Sequence, residues 1–253
     1  MTIITGGASG IGAACCRLFA ERGAKVVVLD RDVGRAEAVA KEIGGRAWHA
    51  DVTDEPSLTS AARSIETEFG PVETLVNSAG IIQVPHRPSE LSMAVWDDIV
   101  RVDQRGTYLA SVVFARAMLQ RRCGSIVNIA SIAGMRSMPL HSYAPAKAAV
   151  ISMTACLAAE WGPAGVRVNV ISPGYTRTPA LQAAIDKGER DVSLLRSNAA
   201  LGRLVEAEDI AKVAAFLASA EAAAITGVNI PVDCGWLVAT PWNTYGGLRP
   251  SGN

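Results

Sequence analysis

Short β-branched runs alternate along this chain with longer, Ala-rich stretches, and that alternation restricts the fold more than any other feature. Met1–Thr5, Ala24–Asp30, Arg46–Ala50, Val72–Asn77, Ser125–Ala130, Arg167–Ile171 and Val228–Val232 read as strands. Gly12–Arg22, Val33–Ile43, Ser57–Phe69, Trp96–Arg121, Ser142–Trp161 and Glu208–Ala218 carry apolar residues at helical spacing. Strands that are apolar on both faces and separated by helices imply a parallel sheet covered on both sides, with right-handed crossovers. The expected fold is therefore α/β: a doubly wound parallel sheet of about seven strands with helices on both faces.

The chain has 253 residues, and α/β folds run to about 250 residues as one unit. No repeat, linker or charge block divides it, so residues 1–253 are expected to form a single domain. The least regular segments are Ile81–Ser92, Thr178–Leu204 and Gly235–Asn253. In an open parallel sheet the loops after the strand carboxyl ends form the ligand crevice. Substrate loops are accordingly expected near residues 81–92 and 175–204, with a C-terminal tail at 236–253.

Lys and Arg number 24, as do Asp and Glu, so no net field favours a nucleic acid or an anionic membrane. Apolar runs are strand-length, short of the roughly 18 consecutive residues that a membrane span needs. Met1 runs almost directly into a strand with no basic leader ahead of it, so cytoplasmic residence is expected. The five cysteines lack metal or disulfide spacing, and Cys15 and Cys16 read as small apolar packing inside a helix. No metal site is expected.

Thr5-Gly6-Gly7-Ala8-Ser9-Gly10-Ile11-Gly12 follows the first strand and opens the first helix, the context a dinucleotide fingerprint requires. Glycines let the backbone turn tightly against a pyrophosphate, and the N–H groups and dipole at the helix start favour its charge. Asp30 closes the second strand, about 20 residues on, where a carboxylate accepts hydrogen bonds from ribose hydroxyls and repels a 2′-phosphate. Arg31 follows it, but Ser9 supplies no second basic group in the turn. NAD is thereby favoured over NADP. Asp30 also has a second reading, as a helix cap beside Asp32.

Taken in order, these residues resemble the short-chain dehydrogenase/reductase family over essentially the whole chain. The glycine turn looks like the family's TGxxxGIG element, and Asp51-Val52 resembles the pair flanking the adenine ring. Asn77-Ser78-Ala79-Gly80 is similar to its NNAG element, with Ser78 in place of the second Asn. Ser131, Tyr143 and Lys147 match the catalytic Ser and YxxxK, and Pro173-Gly174 with Thr178 resembles the segment that meets the nicotinamide. The resemblance implies a Rossmann fold, NAD bound by these segments, a role for Lys147 on the nicotinamide ribose, and a homotetramer or homodimer.

Tyr143 and Lys147 lie four residues apart on a predicted helix and project from one face. A free phenol, with a pKa near 10, is a poor base at neutral pH, but a nearby ammonium and a cationic nicotinamide favour its phenolate. Tyr143 is then a general base in alcohol oxidation and an acid in reduction. Ser131 is expected to hydrogen-bond the substrate oxygen. Asp103 stands where the family usually has the Asn that completes a Ser/Asn/Tyr/Lys tetrad. Its carboxylate accepts but cannot donate as an amide does. If ionised, it stabilises the Lys147 cation and opposes the Tyr143 phenolate. In Asp233-Cys234-Gly235 the family more often has Asp-Gly-Gly, a departure expected to affect packing more than chemistry.

The pocket is expected from Ile82–Arg87, Ile132–His141 and Tyr175–Asp186, with Met135, Met138, Leu140 and Leu181 as apolar walls. Arg87, Arg136, His141 and Arg177 are candidates for meeting hydroxyls or an anion. The expected activity is hydride transfer between NAD and a secondary alcohol or ketone such as a polyol, sugar or hydroxy acid. Two alternatives stand beside it: an NADPH-dependent 3-oxoacyl-carrier reductase, and a catalytically idle NAD-binding sensor or scaffold. Trp236, Trp242, Tyr245 and Arg249 suit a pocket lid or subunit interface.

Overall fold

Ile3 and Ile4 are adjacent, and neither is exposed at all. Successive strand side chains point to opposite faces, so this pair alone requires a sheet buried on both sides. A computed structural model describes residues 1–249 and shows that arrangement. The elements run β1 (Thr2–Thr5), α1 (Gly10–Glu21), β2 (Val26–Asp30), α2 (Val33–Ile43), β3 (Arg46–His49), α3 (Glu55–Phe69), β4 (Thr74–Asn77), α4 (Met93–Ile99) and α5 (Thr107–Arg121). They continue with β5 (Gly124–Ile129), α6 (Tyr143–Trp161), β6 (Val166–Pro173), β7 (Thr176–Arg177), α7 (Pro179–Asp186), α8 (Val192–Ser197), β8 (Val205–Glu206), α9 (Ala207–Ala218), β9 (Asn229–Val232) and α10 (Trp236–Ala239).

Seven strands form one parallel sheet in the order β3-β2-β1-β4-β5-β6-β9, and β7 pairs with β8 apart from it. Ile4, Val28, Val76 and Val127 face α1, α2 and α9 in one apolar layer. Ile3, Val27, Leu29, Leu75 and Ile126 face α3, α5 and α6 in the other. Burying each such side chain fully is worth about 1.5–3 kcal/mol, so both layers favour this register. Chain order reverses direction at the β1/β4 pair, which opens the crevice where ligands bind in doubly wound folds. Among the described residues no helix is long and apolar enough to cross a membrane.

Three segments depart from expectation. The stretch Trp96–Arg121 is not one α-helix: a π-helical turn, Val100–Gly106, joins α4 to α5. The Thr178–Leu204 segment is not irregular but holds α7 and α8, capped by Thr178 and Asp191. The tail carries α10 and a 3-10 turn, Thr240–Tyr245, while residues 250–253 lie outside the described residues. Cys234 has φ +54°, a left-handed conformation that favours glycine, which accounts for the Asp-Gly-Gly pattern from which this chain departs.

Candidate active site

The turn after β1 is closed by contacts only glycine permits. A Cβ on Gly12 would lie 2.1 Å from the Gly6 carbonyl oxygen, and one on Gly6 would lie 2.7 Å from the Ala79 backbone. Thr5 Oγ1 accepts from Ser78 N and Ala79 N, each at 3.2 Å, and so ties this turn to the one after β4. The start of α1 behind it has no side-chain cap: Ser9 is extended and its hydroxyl bonds no helix N–H. Uncovered N–H groups beside a glycine turn fit an anionic pyrophosphate. Gly12→Ala is expected to open the turn and abolish dinucleotide binding, with a loss of stability of at least about 1–3 kcal/mol from overpacking against backbone. Calorimetric titration with NADH and thermal denaturation check both.

Asp30 ends β2 with both carboxylate oxygens engaged: Oδ2 accepts from Ala8 N at 3.1 Å and Oδ1 from Asp32 N at 2.9 Å. It is not the cap of α2. Asp32 does that, accepting from Arg35 N at 3.1 Å. Asp30 instead fixes the glycine turn to the end of β2, at the rim of a cavity of about 1080 Å³. Arg31, Asp51 and Val52 line the same rim. Asp51 sits below the usual carboxylate range, burial being outweighed by hydrogen bonds from Thr53 and by the Arg101 and Arg31 charges.

The cavity runs from Gly6, Ser9, Gly10 and Ile11 past Ala79 and Gly80 to Asp103, Ser131, Tyr143 and Lys147, with Pro173, Gly174 and Thr178 opposite. Two expected members lie elsewhere. Gly12 does not line it, because its place is against the Gly6 carbonyl. Asn77 is 1% exposed, and its Nδ2 donates to Ser111 Oγ on α5 and to Asn128 Oδ1 on the adjacent strand β5, each at 2.9 Å. Arg87, Arg136, His141 and Arg177 also stay outside, Arg177 pairing with Glu206 at 3.2 Å; Lys187, Glu189 and Arg190 supply the cavity's charge on that side instead. The tail's Trp236 packs edge-on against Tyr175 of the cavity wall, ring centroids 5.6 Å apart.

Ser131 follows β5, and its Oγ accepts from Ala133 N at 3.1 Å, leaving the hydroxyl proton for a ligand oxygen. Tyr143 opens α6, and Lys147 stands one turn on, its Nζ 5.5 Å from the phenol ring centroid. Nζ donates to the Ile129 carbonyl at 3.1 Å and lies 3.1 Å from Asp103 Oδ2, within ion-pair range but off the line of a hydrogen bond. Asp103 itself is fully buried in the π turn, its Oδ1 accepting from Ile81 N at 2.8 Å. π turns recur at functional sites because they re-aim one side chain, and here that side chain is the unusual carboxylate. Burial alone would lower the Lys147 ammonium, but Asp103 and Tyr143 outweigh it and hold it above its ordinary range. Burial raises the Tyr143 phenol above its ordinary value; Lys147 and Ser131 pull it down, Asp103 pushes it up, and the net direction is upward.

Comparison with known proteins matches this arrangement. The family model described as Enoyl-(Acyl carrier protein) reductase covers residues 6–237. D-threitol dehydrogenase of Mycolicibacterium smegmatis is 37% identical, across 94% of this chain and 93% of its own length. Galactitol 2-dehydrogenase (L-tagatose-forming) of Cereibacter sphaeroides is 39% identical, across 93% and 94%. A Brucella melitensis 16M crystal structure, described as ribose-5-phosphate isomerase, superposes with a TM-score of 0.96 at 51% identity, across 98% of this chain and 96% of that one. The chain belongs to the short-chain dehydrogenase/reductase family and is an oxidoreductase acting on CH–OH groups with a nicotinamide cofactor.

Proposed function

We propose that this protein transfers hydride between NAD and a secondary alcohol of the polyol or sugar class, with Tyr143 as general acid/base. The observation that carries the reading is the convergence of Ser131, Tyr143 and Lys147 in the cavity whose far rim holds Asp30. The polyol dehydrogenases it resembles support the substrate class. Asp30 supports NAD: a carboxylate held by two backbone N–H groups cannot swing away from a 2′-phosphate.

Bound nicotinamide supplies the hydride acceptor, and the remaining work falls to the protein. Ser131 donates to the substrate hydroxyl oxygen and stabilises the charge that develops there. Tyr143, as phenolate, takes the hydroxyl proton while hydride departs from the same carbon, and returns it in the reductive direction. Lys147 favours the phenolate and would hold the nicotinamide ribose of a bound cofactor, and Asp103 holds the Lys147 ammonium charged. Assembly as a homotetramer or homodimer rests on the family resemblance alone.

Initial rates with NAD and NADP over threitol, galactitol and simpler alcohols test the reading. NAD-linked turnover of a polyol is expected. Asp30→Ala is expected to shift kcat/KM toward NADP by about tenfold or more, since a tenfold ratio is about 1.4 kcal/mol and a like-charge juxtaposition costs several kcal/mol. A wild-type preference for NADP would overturn the role of Asp30.

A further inference from the structure

The N-terminus of the helix that carries Tyr143 has no side-chain cap from its own sequence; nearby, the Leu140 carbonyl accepts from Ala144 N at 2.8 Å and leaves Ser142 N and Tyr143 N to be met from elsewhere. Ser142, in the N-cap position, makes no side-chain bond to the helix. Pro145 in the first turn has no N–H to give. A single oxygen from a distant loop meets these two N–H groups: Gln83 Oε1 accepts from Ser142 N at 2.9 Å, Ser142 Oγ at 2.9 Å and Tyr143 N at 3.2 Å. Gln83 is 1% exposed and lines the cavity on the loop after β4, with Ile82 and Val84 exposed on either side.

We propose that Gln83 is a positioning residue for Tyr143, fixing the phenol by holding the first residues of α6 from the substrate loop. Two features single out the amide. Backbone N–H groups only donate, so the oxygen must face the helix and the amide has one orientation. Its Nε2 is buried with no partner. An unpaired buried donor is unfavourable, and nothing in the fold requires a polar side chain there except the three bonds to its oxygen. The contact therefore ties the loop that walls the substrate to the residue that moves the proton. A shift of the α6 start by a fraction of an ångström would move the phenol relative to Ser131.

The inference rests on Tyr143 being the acid/base, and the test separates the two. Gln83→Met removes the acceptor at similar volume; Gln83→Glu keeps it. With a polyol and NAD at the alkaline plateau, Gln83→Met is expected to lose about 10–100-fold in kcat, the usual cost of misplacing a reacting group. KM for the alcohol and Kd for NADH should stay within about twofold. Amide hydrogen exchange over residues 141–147 is expected to accelerate in the Met variant and stay slow in the Glu variant. Exchange unchanged by Gln83→Met, a wild-type kcat in that variant, or exchange as fast in the Glu variant as in the Met one would each overturn the proposal. Should the wild type oxidise no polyol, the function proposed above fails, and the exchange measurement still decides whether Gln83 holds this helix.

Discussion

Tyr143→Phe is expected to lower kcat by about 10²–10⁴-fold, the contribution of a positioned acid/base, while NADH binding measured by fluorescence stays within about twofold. Phe keeps the ring beside the Lys147 ammonium and removes only the oxygen, so the loss reports proton transfer rather than packing. Retained turnover would move the acid/base role elsewhere. The same variant has a consequence for stability. The folded-state phenol is held above its ordinary 10.0, so above about pH 10 the unfolded chain releases that proton first and stability falls with pH. Lys147, held above 10.5, acts in the same direction: its contribution is full below the unfolded value and is lost as pH rises through the folded one. Thermal denaturation from pH 8 to about pH 11 should therefore fall less steeply in Tyr143→Phe than in the wild type.

What the sequence reveals of this molecule follows from how local the determining physics is. Strand positions were legible because a strand buried on both faces must be apolar at every residue, as Val26–Leu29 is. The π turn was not, because one added residue within a helix leaves the flanking periodicity nearly intact. α7 and α8 did carry signals, with Thr178 before Pro179 and Asp191 before Val192 in N-cap positions, but their short lengths sit inside a polar segment. Motif order groups Asn77 with the cofactor-binding residues, yet its side chain does not line the cavity, and its Nδ2 donates to Asn128 and Ser111. Gln83 had no local mark at all: its partners are 59 and 60 residues away.

Asp103→Leu is expected to destabilise the fold by about 3–5 kcal/mol, the cost of stranding one member of a buried ion pair. At this chain length that corresponds to roughly 6–20 °C in Tm. Lys147 would keep only the Ile129 carbonyl, and Ile81 N would lose its acceptor. Gly80 shows how tightly the pair is enclosed: a Cβ there would lie 3.2 Å from Asp103 Oδ2 and 3.5 Å from Lys147 Nζ. Removing both charges in Asp103→Leu/Lys147→Met should recover much of the loss, since a buried pair costs desolvation that two apolar residues do not. A double variant as unstable as the single one would place the penalty in packing. Asp103→Asn asks the chemical question, because it can keep the acceptor for Ile81 N while removing the charge that raises the Tyr143 phenol. Its kcat/KM for alcohol oxidation should climb at lower pH than in the wild type, and an unmoved limb would show that Tyr143 does not feel this carboxylate. The carboxylate thus trades a readier phenolate for an ammonium that stays charged at alkaline pH, the range in which alcohol oxidation, which releases a proton, is thermodynamically favoured.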